Sequence, residues 1–372
     1  MLTIVFWICV VLLIYTFWVY PLWIYVLSRF EKPVRKCDSD WRMVSILIPM
    51  FNEAHVVQEK LQNCLEIDYP SDRLQIAFAS DGSTDGTMEV LQKCDDPRVT
   101  LFDYPENRGK TATLNESIPR LKGDLVLLTD ASGMLNSDVI KSMAPHFTDK
   151  EVGCVCGIYH IIKQGRSRMD SAENSYHGFE MQLRLWESRV RTTLSGTGAL
   201  CMLRKNDYEP LPDGVINEDY ILPARMALKG KRVIYDTGAH IYDRISTSIS
   251  TVFRRRVRIA YGNWQQIKYL TPLLNPMRCY LFWVFLSHKL LRMMFPFLLL
   301  ALFVSSYALS STLFTILLTG TGLMMIGSLA ALALDRFFRE HNPLSFVALI
   351  FFNCVAVFWG TARFFTGLKV KW

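Results

Sequence analysis

The stretch LQIAFASDGSTDGT, residues 74–87, decides the fold. Its first half is a short apolar run with the length of a buried strand, and its second half joins two aspartates and two glycines to several hydroxyl residues. A polar loop directly after a buried strand is typical of α/β sheets, where ligands bind at the carboxyl ends of the strands. The stretch therefore predicts one strand of such a sheet and one wall of a binding crevice.

The sequence on either side alternates between strand-like and helix-like segments. VSILIP at 44–49 and DLVLLT at 124–129 are apolar runs, whereas 56–65 has helical spacing. Strand and helix in alternation predict a mostly parallel α/β sheet. Each predicted strand is followed by a carboxylate: Glu53, Asp81 and Asp130. Carboxylates that converge at one edge of a sheet suggest a nucleotide or metal site.

Several function classes are disfavoured by what the sequence lacks. Gly109-Lys110-Thr111 imitates the end of a P-loop, but Tyr104 stands where the first glycine belongs, and no G-x-G-x-x-G follows a strand. The formal net charge is +7, yet there is no aromatic RNA-binding motif, zinc-finger spacing or basic tail, so no nucleic-acid partner is expected. The nine cysteines form no CxxC pair, and Cys154 and Cys156 are expected to be buried free thiols in a reducing compartment.

The composition indicates a membrane. The chain is 51% hydrophobic, and residues 2–28 contain no charge, which exceeds the roughly 20 residues needed to span a bilayer. Basic residues follow at once, so this segment predicts an anchor with residue 30 onward in the cytoplasm. Three further spans are predicted at 285–309, 311–334 and 344–367, giving four crossings in all. The stretch Cys279–Leu286 is expected to be an interfacial helix.

Seven motifs occur in an order that resembles a known enzyme family. They are SILIPMFNEAHVV, FASDGSTDGT, ENRGKTATLNES, LLTDAS, SGTGALCMLRK, NEDYILPARMALKG and RRRVRIAYGNW. This succession is similar to the family 2 glycosyltransferases of the GT-A fold, in particular the membrane-integrated branch with the poly-N-acetylglucosamine, cellulose and hyaluronan synthases. The resemblance covers roughly residues 43 to 265 and the membrane layout.

The resemblance implies a donor side for the site. The loop with Asp81 would hold the nucleoside of a UDP-sugar, with Glu53 and Lys110 nearby, and Asp130 would hold Mg²⁺ or Mn²⁺ at the diphosphate. Asp130 matches the family's D-x-D motif at its first position only, because Ser132 stands at the second. His240 is a candidate for a compensating ligand. A helix-terminal lysine without a ligand is the alternative for Lys110.

The resemblance also implies an acceptor side. Asp219 would be the catalytic base that deprotonates the acceptor hydroxyl, with Glu218 as its support, and a helix cap is the alternative for this pair. The loop with Gly196, Thr197 and Gly198 would face the acceptor, although a simple tight turn explains the same residues. In the family's Q-x-x-R-W motif, Arg258 keeps the arginine while Ile259 replaces the tryptophan, and Trp264 lies five residues further on. Arg258 would stabilise the departing UDP.

These inferences predict four regions and one activity. Residues 1–29 form an anchor, 30–250 a cytoplasmic GT-A catalytic domain, 251–284 basic and interfacial helices, and 285–372 about three transmembrane helices. The expected protein is a multi-pass enzyme of the plasma (inner) membrane. It moves a sugar from a UDP-sugar to a glycan or lipid-linked acceptor with inversion, in surface polysaccharide or glycolipid synthesis, and an export partner is conceivable. The alternative is a non-catalytic, nucleotide-sugar-binding subunit.

Overall fold

The structure is a computed structural model that describes residues 1–31, 41–162, 168–243, 249–307, 309, 312–320 and 344–368. The chain divides into two compact units, and each is described by itself. The first comprises Met1–Arg29, Lys163–Leu183 and Ser246–Lys371, and the second comprises Phe30–Ile162 and Arg184–Ile245 with the last residue. We call them the helical unit and the sheet unit.

Eight strands in the described part of the sheet unit form one sheet. They are β1 Val44–Met50, β2 Leu74–Asp81, β3 Val99–Tyr104, β4 Leu125–Thr129, β5 Gly133–Leu135, β6 Val152–Ile161, β7 Leu200–Arg204 and β8 Arg232–Asp243. The order is β3-β2-β1-β4-β7-β6-β8-β5, with β3, β2, β1 and β4 parallel and β7 antiparallel to both of its neighbours. The predicted α/β sheet is therefore confirmed as a mixed, mostly parallel one.

The helices alternate with these strands and continue beyond them. In chain order they are α1 Leu2–Ile14, α2 Tyr20–Ser28, α3 Val57–Leu65, α4 Thr87–Leu91, α5 Lys110–Ser117, α6 Val139–Met143, α7 Arg168–Val190, α8 Glu218–Leu228, α9 Ile249–Tyr269, α10 Cys279–Val284, α11 Leu291–Met293, α12 Phe295–Ser306, α13 (312–320) and α14 Leu344–Phe365. Short π-helical turns, Tyr15–Val19 and Phe285–Leu290, join α1 to α2 and α10 to α11.

The core of the sheet unit follows directly from the apolar runs. All eight residues of β2 and nearly all of β1 are buried, as expected for central strands covered on both faces. The helix α3 turns Val57, Leu61 and Cys64 inward at the i, i+4, i+7 spacing of a helix face. The strands β1, β2 and β4 end at the same edge, because they run parallel, and this edge carries the polar loops.

The helical unit contains the apolar segments. Leu2–Ser28 is one described helix long and apolar enough to cross a membrane, with a mean hydropathy of 2.5 over its best window. A second candidate is the pair Pro276–Met293 and Phe295–Ser306, which is bent by 62°. The described residues thus contain one or two candidate spans, and the larger part of the expected span at 311–334 lies outside them. The count of four crossings stays a prediction.

Candidate active site

The DGSTDGT loop is clamped to the loop after β1. The carboxylate of Asp85 accepts hydrogen bonds from the backbone N–H of Ala54 and of Thr87, and the amide oxygen of Asn52 accepts one from the N–H of Thr84 at 2.8 Å. Asn52 has a φ of +57°, a left-handed conformation that asparagine tolerates better than most residues. Asp85 therefore accepts the N–H of the first residue of α4 and also joins the two polar loops into one wall.

Asp81 lies at the end of β2 and is 4% exposed. Its two carboxylate oxygens accept the backbone N–H of Arg108 at 3.0 Å and of Gly109 at 2.7 Å, so it fastens the loop that precedes α5. The next residue, Gly82, has a φ of +72°, and a Cβ there would lie 2.7 Å from the carbonyl carbon of Glu106. A glycine is thus required where the two loops touch. The expected contact between Asp81 and a nucleoside stays a prediction.

Lys110 is the first residue of α5 and bridges two carboxylates. Its Nζ lies 2.7 Å from Oδ1 of Asp130 and 2.7 Å from Oε1 of Glu218. Burial lowers the pKa of Lys110, but the negative charges of Asp130 and Glu218 outweigh burial and raise the pKa above its ordinary value. The fixed ammonium connects the loop after β4 to the start of α8. The structure thereby brings together three of the residues expected from the sequence, while the expected contact of Lys110 with the donor stays a prediction.

Asp219 follows Glu218 in the first turn of α8 and lies against the glycine-rich loop. A Cβ on Gly198 would lie 3.1 Å from Cβ and 3.8 Å from Oδ2 of Asp219, and a Cβ on Gly196 would lie 3.1 Å from its backbone oxygen. The N–H of Gly196 donates to that same oxygen at 2.8 Å. The loop therefore packs directly against Asp219, the residue expected to be the base. A residue larger than glycine at position 196 or 198 would displace Asp219.

A small cavity opens between these elements. Its walls include the charged side chains of Lys110, Glu218 and Asp219 together with several apolar residues. The lining residues are Pro49, Lys110, Leu114, Leu128, Thr129, Gly196, Thr197, Gly198, Cys201, Glu218, Asp219, Leu222 and Pro223. Thr197 is buried, and its hydroxyl donates to the carbonyl oxygen of Gly157 at 3.0 Å. Thr197 therefore anchors the loop from below.

A group of carboxylates surrounds the loop after β4. Burial raises the pKa of Glu53, the neighbouring His55 lowers it, and the charges of Asp130, Asp85 and Asp243 raise it further. Asp243 ends β8 and is 8% exposed; its Oδ2 accepts the hydroxyl of Tyr159 at 2.7 Å, while its Oδ1 is buried without a hydrogen-bond partner. A buried carboxylate oxygen that lacks a donor is suited to a cation, because oxygen ligands are those that Mg²⁺ and Mn²⁺ prefer.

Two residues of this region escaped the sequence analysis. Asp243 lies 113 positions after Asp130 in the chain, and only the pairing of β5 with β8 brings it to Gly133. Lys60 on α3 is fully buried, and its Nζ donates to the hydroxyl of Thr129 at 3.0 Å and to the carbonyl oxygen of Gly133. Lys60 thus holds both ends of the loop that carries Asp130. A lysine inside an apolar helix stripe was its only sequence signal.

Three further residues named from the sequence are described by their own contacts. His240 pairs with His160, whose Nε2 lies 2.9 Å from the Nδ1 of His240. Arg258 lies on α9 in the helical unit, so its expected role toward the donor stays a prediction. Trp264 of the same helix donates its indole N–H to the hydroxyl of Thr361 at 2.9 Å and packs on Phe364 and Phe365. Trp264 therefore contributes to the packing of α9 against α14.

Comparison with known proteins agrees with this geometry. The pattern of the family "Glycosyl transferase family 2" matches residues 45–209, which run from β1 to the segment after β7. A mannosyltransferase from Pyrobaculum calidifontis, solved in complex with GDP-Man and Mn²⁺, superimposes with a TM-score of 0.74 at 20% identity, over 98% of this chain and 100% of its own. This likeness establishes the GT-A fold.

Two curated relatives were found by sequence. The poly-beta-1,6-N-acetyl-D-glucosamine synthase of Staphylococcus aureus is 24% identical over 224 residues, which cover 59% of this chain and 54% of the relative. The beta-monoglucosyldiacylglycerol synthase of a Nostoc species is 26% identical over 183 residues, 47% of this chain and 37% of the relative. The chain thus spans about half the length or less of these relatives.

The fold defines the class: it is the GT-A fold of glycosyltransferases. More particularly, residues 45–209 carry a family 2 glycosyltransferase domain.

Proposed function

We propose that this protein transfers a sugar from a nucleoside diphosphate sugar, a UDP-sugar in the first instance, to a polysaccharide or lipid-linked acceptor. The observation that carries the proposal is the position of Asp219, with its carboxylate against Gly198 and beside the ion pair of Lys110 with Glu218. A carboxylate at the wall of a cavity, next to a loop of small residues, can reach the hydroxyl of an incoming acceptor. The positively charged Lys110 lines the same cavity.

Asp219 acts as the general base in this proposal. It accepts the proton of the acceptor hydroxyl while the acceptor oxygen attacks the anomeric carbon and the nucleoside diphosphate leaves. A single in-line displacement inverts the configuration at the anomeric carbon and needs no covalent intermediate. Glu218 does not compete for the proton, because its Oε1 is held by the ammonium of Lys110 at 2.7 Å.

In this proposal, the ammonium of Lys110 interacts with the negatively charged diphosphate of the donor. Its ammonium bridges Asp130 and Glu218 within the described residues, and a diphosphate that enters the cavity meets a positive group already fixed in place. Such a preorganised charge stabilises the negative charge that builds up on the leaving group. Asp81 and Asp85 support this side by holding the loops that would surround the nucleoside.

The carboxylates around Asp130 are the candidate ligands for a divalent cation. Asp130, Asp243 and Glu53 would hold it, because Oδ1 of Asp243 is buried and lacks a donor, and because the charges of Asp130 and Asp243 both raise the pKa of Glu53. Among the described residues these carboxylate oxygens do not all lie within 4.8 Å of one another, so the ion would have to draw them together. Bound Mg²⁺ or Mn²⁺ would neutralise the diphosphate as a Lewis acid.

The membrane side of the proposal rests on Leu2–Ser28 and on the relatives. An apolar helix of 27 residues can anchor the enzyme, and the basic residues that follow it favour a cytoplasmic sheet unit in a plasma (inner) membrane. The two curated relatives are named as a polysaccharide synthase and a glycolipid synthase, so both acceptor classes are carried forward. An export partner would be required only for an extracellular polymer.

The test uses the full chain in lipid discs with Mn²⁺ or Mg²⁺, a panel of UDP- and GDP-sugars, and native lipid extract. We expect nucleotide release with one donor and a product whose mass separates a single addition from a polymer. Asp219→Asn should abolish release, whereas Asp213→Asn, an exposed aspartate six positions earlier, should retain it. Equal release by the wild-type protein and Asp219→Asn would refute the assignment of the base. Donor binding without release by either would favour the non-catalytic alternative.

A further inference from the structure

Three cysteine thiols meet inside the sheet, next to the glycine-rich loop. Cys154 and Cys156 lie two positions apart on β6, and Cys201 on β7 is the register partner of Cys156. Sγ of Cys154 lies 3.1 Å from Sγ of Cys201 and 3.8 Å from Sγ of Cys156, and all three sulfurs lie within 4.8 Å of one another. All three side chains are buried. Nothing in the transfer reaction uses this trio of thiols, which we call the thiol cluster.

The geometry of the thiol cluster is that of a set of ligands. Buried cysteines ordinarily behave as separate small apolar residues. Here three buried sulfurs from two paired strands lie within 4.8 Å of one another. Cysteine binds metals as the thiolate, so a metal ion that enters the cluster displaces thiol protons.

We propose that Cys154, Cys156 and Cys201 bind a single thiophilic cation of the Cu(I) class. Three sulfurs placed about 2.3 Å from a common ion in one plane lie about 4 Å apart. The 3.8 Å separation of the Cys154 and Cys156 sulfurs already fits, and the sulfurs of Cys154 and Cys201, now 3.1 Å apart, would have to move apart by about 1 Å. Soft thiolate ligands select soft ions of this kind over Mg²⁺ or Mn²⁺.

The number of ligands distinguishes this site from a structural zinc centre. Such centres have four ligands in a tetrahedron. Among the residues that the structure describes, the group of His, Cys, Asp and Glu side chains with mutually close ligand atoms consists of these three cysteines. When all three thiols bind as thiolates, each releases its proton to the solvent, and the ion takes the place of these protons.

The bound ion would join β6 to β7 behind the site. Sγ of Cys156 lies 3.2 Å from the position that a Cβ on Gly196 would occupy, and Cys201 lines the cavity that contains Asp219. Because a ligand that binds only the folded chain stabilises it, loading should raise the unfolding temperature. The proposal does not depend on the transferase activity.

The experiment titrates the reduced full chain, in detergent under argon, with Cu(I) buffered by bicinchoninate. We expect one equivalent to be retained against the chelator, with a higher unfolding temperature. Cys156→Ala and Cys201→Ala should each weaken the retention of Cu(I) at least tenfold. The control variant Cys94→Ala, which changes a cysteine outside the thiol cluster, should not. Alanine is used because it leaves no buried hydroxyl without a partner.

Two results would overturn the proposal. One is a variant with all three cysteines of the thiol cluster changed to alanine that still retains one equivalent, which would place the ion elsewhere. The other is a wild-type protein that retains no more Cu(I) than this variant, even though its unfolding transition shows that it is folded. If two thiols are then missing from a count with a thiol reagent, the cluster forms a disulfide and binds no metal.

Discussion

Removal of the Lys110 ammonium should destabilise the sheet unit through the repulsion of the two carboxylates that it bridges. In Lys110→Met the apolar stem is retained, but Asp130 and Glu218 lose their common partner. Both oxygens lie 2.7 Å from Nζ, so they lie no further from each other than twice that distance. Two like charges about 5 Å apart repel by about 3 kcal/mol at an effective dielectric constant of about 20.

Solvent reduces this repulsion. The side chain of Asp130 is 40% exposed and that of Glu218 is 12% exposed, so we expect a loss of about 1–3 kcal/mol. The matched control is Lys229→Met, which breaks an exposed pair with Glu209 and should cost less than about 1 kcal/mol.

The pH dependence of this loss has a definite sign. The folded-state pKa of Lys110 is raised, so its stabilisation is fully present below the unfolded pKa of about 10.5 and is lost only as the pH rises through the folded value. The wild-type protein should therefore keep the bridge throughout the neutral range. The difference between wild type and Lys110→Met should shrink below about pH 4, where free carboxylates take up protons.

The assay is denaturant or thermal unfolding of the wild-type protein and both variants, purified as full chains in the same detergent, at pH 7 and at about pH 3. A loss at pH 7 no larger than that of Lys229→Met would refute the reasoning. An equal loss at both pH values would show that packing, and not charge, is responsible.

Three further predictions follow from single residues. Gly82→Ala should cost about 2 kcal/mol or more and weaken donor binding, whereas Gly230→Ala, with φ of +80° and nothing within 4 Å, should cost only about 1 kcal/mol for its backbone. Burial lowers the pKa of Lys60, so the wild-type protein should gain stability relative to Lys60→Met as the pH rises above the folded-state pKa toward the unfolded value of about 10.5; parallel pH profiles in denaturant unfolding would contradict this. Gly198→Ala should lower the transfer rate about tenfold or more by displacing Asp219. Gly178→Ala, in open space, should leave that rate unchanged, and equal rates for all three proteins would contradict the role of the loop.

Local sequence signals were sufficient to predict features that lie within one strand and the loop that follows it. The apolar runs at 44–49, 74–79 and 124–129 lie in β1, β2 and at β4, and the carboxylates after them lie at one edge because parallel strands end together. The same reasoning explains why Asp130 could be named beforehand, whereas Lys110 and Glu218 were named through the resemblance to the family 2 glycosyltransferases.

Other features of the site depend on contacts between residues far apart in the chain, which no sequence motif specifies. The sequence suggested that Asp81 faces the ligand, but the structure adds that its carboxylate holds the loop at Gly109. The role of His240 as a ligand stays a prediction; its Nδ1 lies 2.9 Å from Nε2 of His160, and the structure adds Asp243, which has a buried oxygen without a donor. The register of β8 against β6 and β5 decides which of these side chains meets the carboxylates.

By itself, the sequence determined the α/β alternation, the apolar segments and the family of the sheet unit, because these depend on the period of apolar residues and on short motifs within single elements. Only the tertiary structure decided the bridge made by Lys110, the buried Lys60 and the thiol cluster. Each of these joins residues far apart in the chain: Cys154 meets Cys201 because β6 and β7 pair antiparallel in one register. A shift of that register by one residue would turn each thiol to the opposite face.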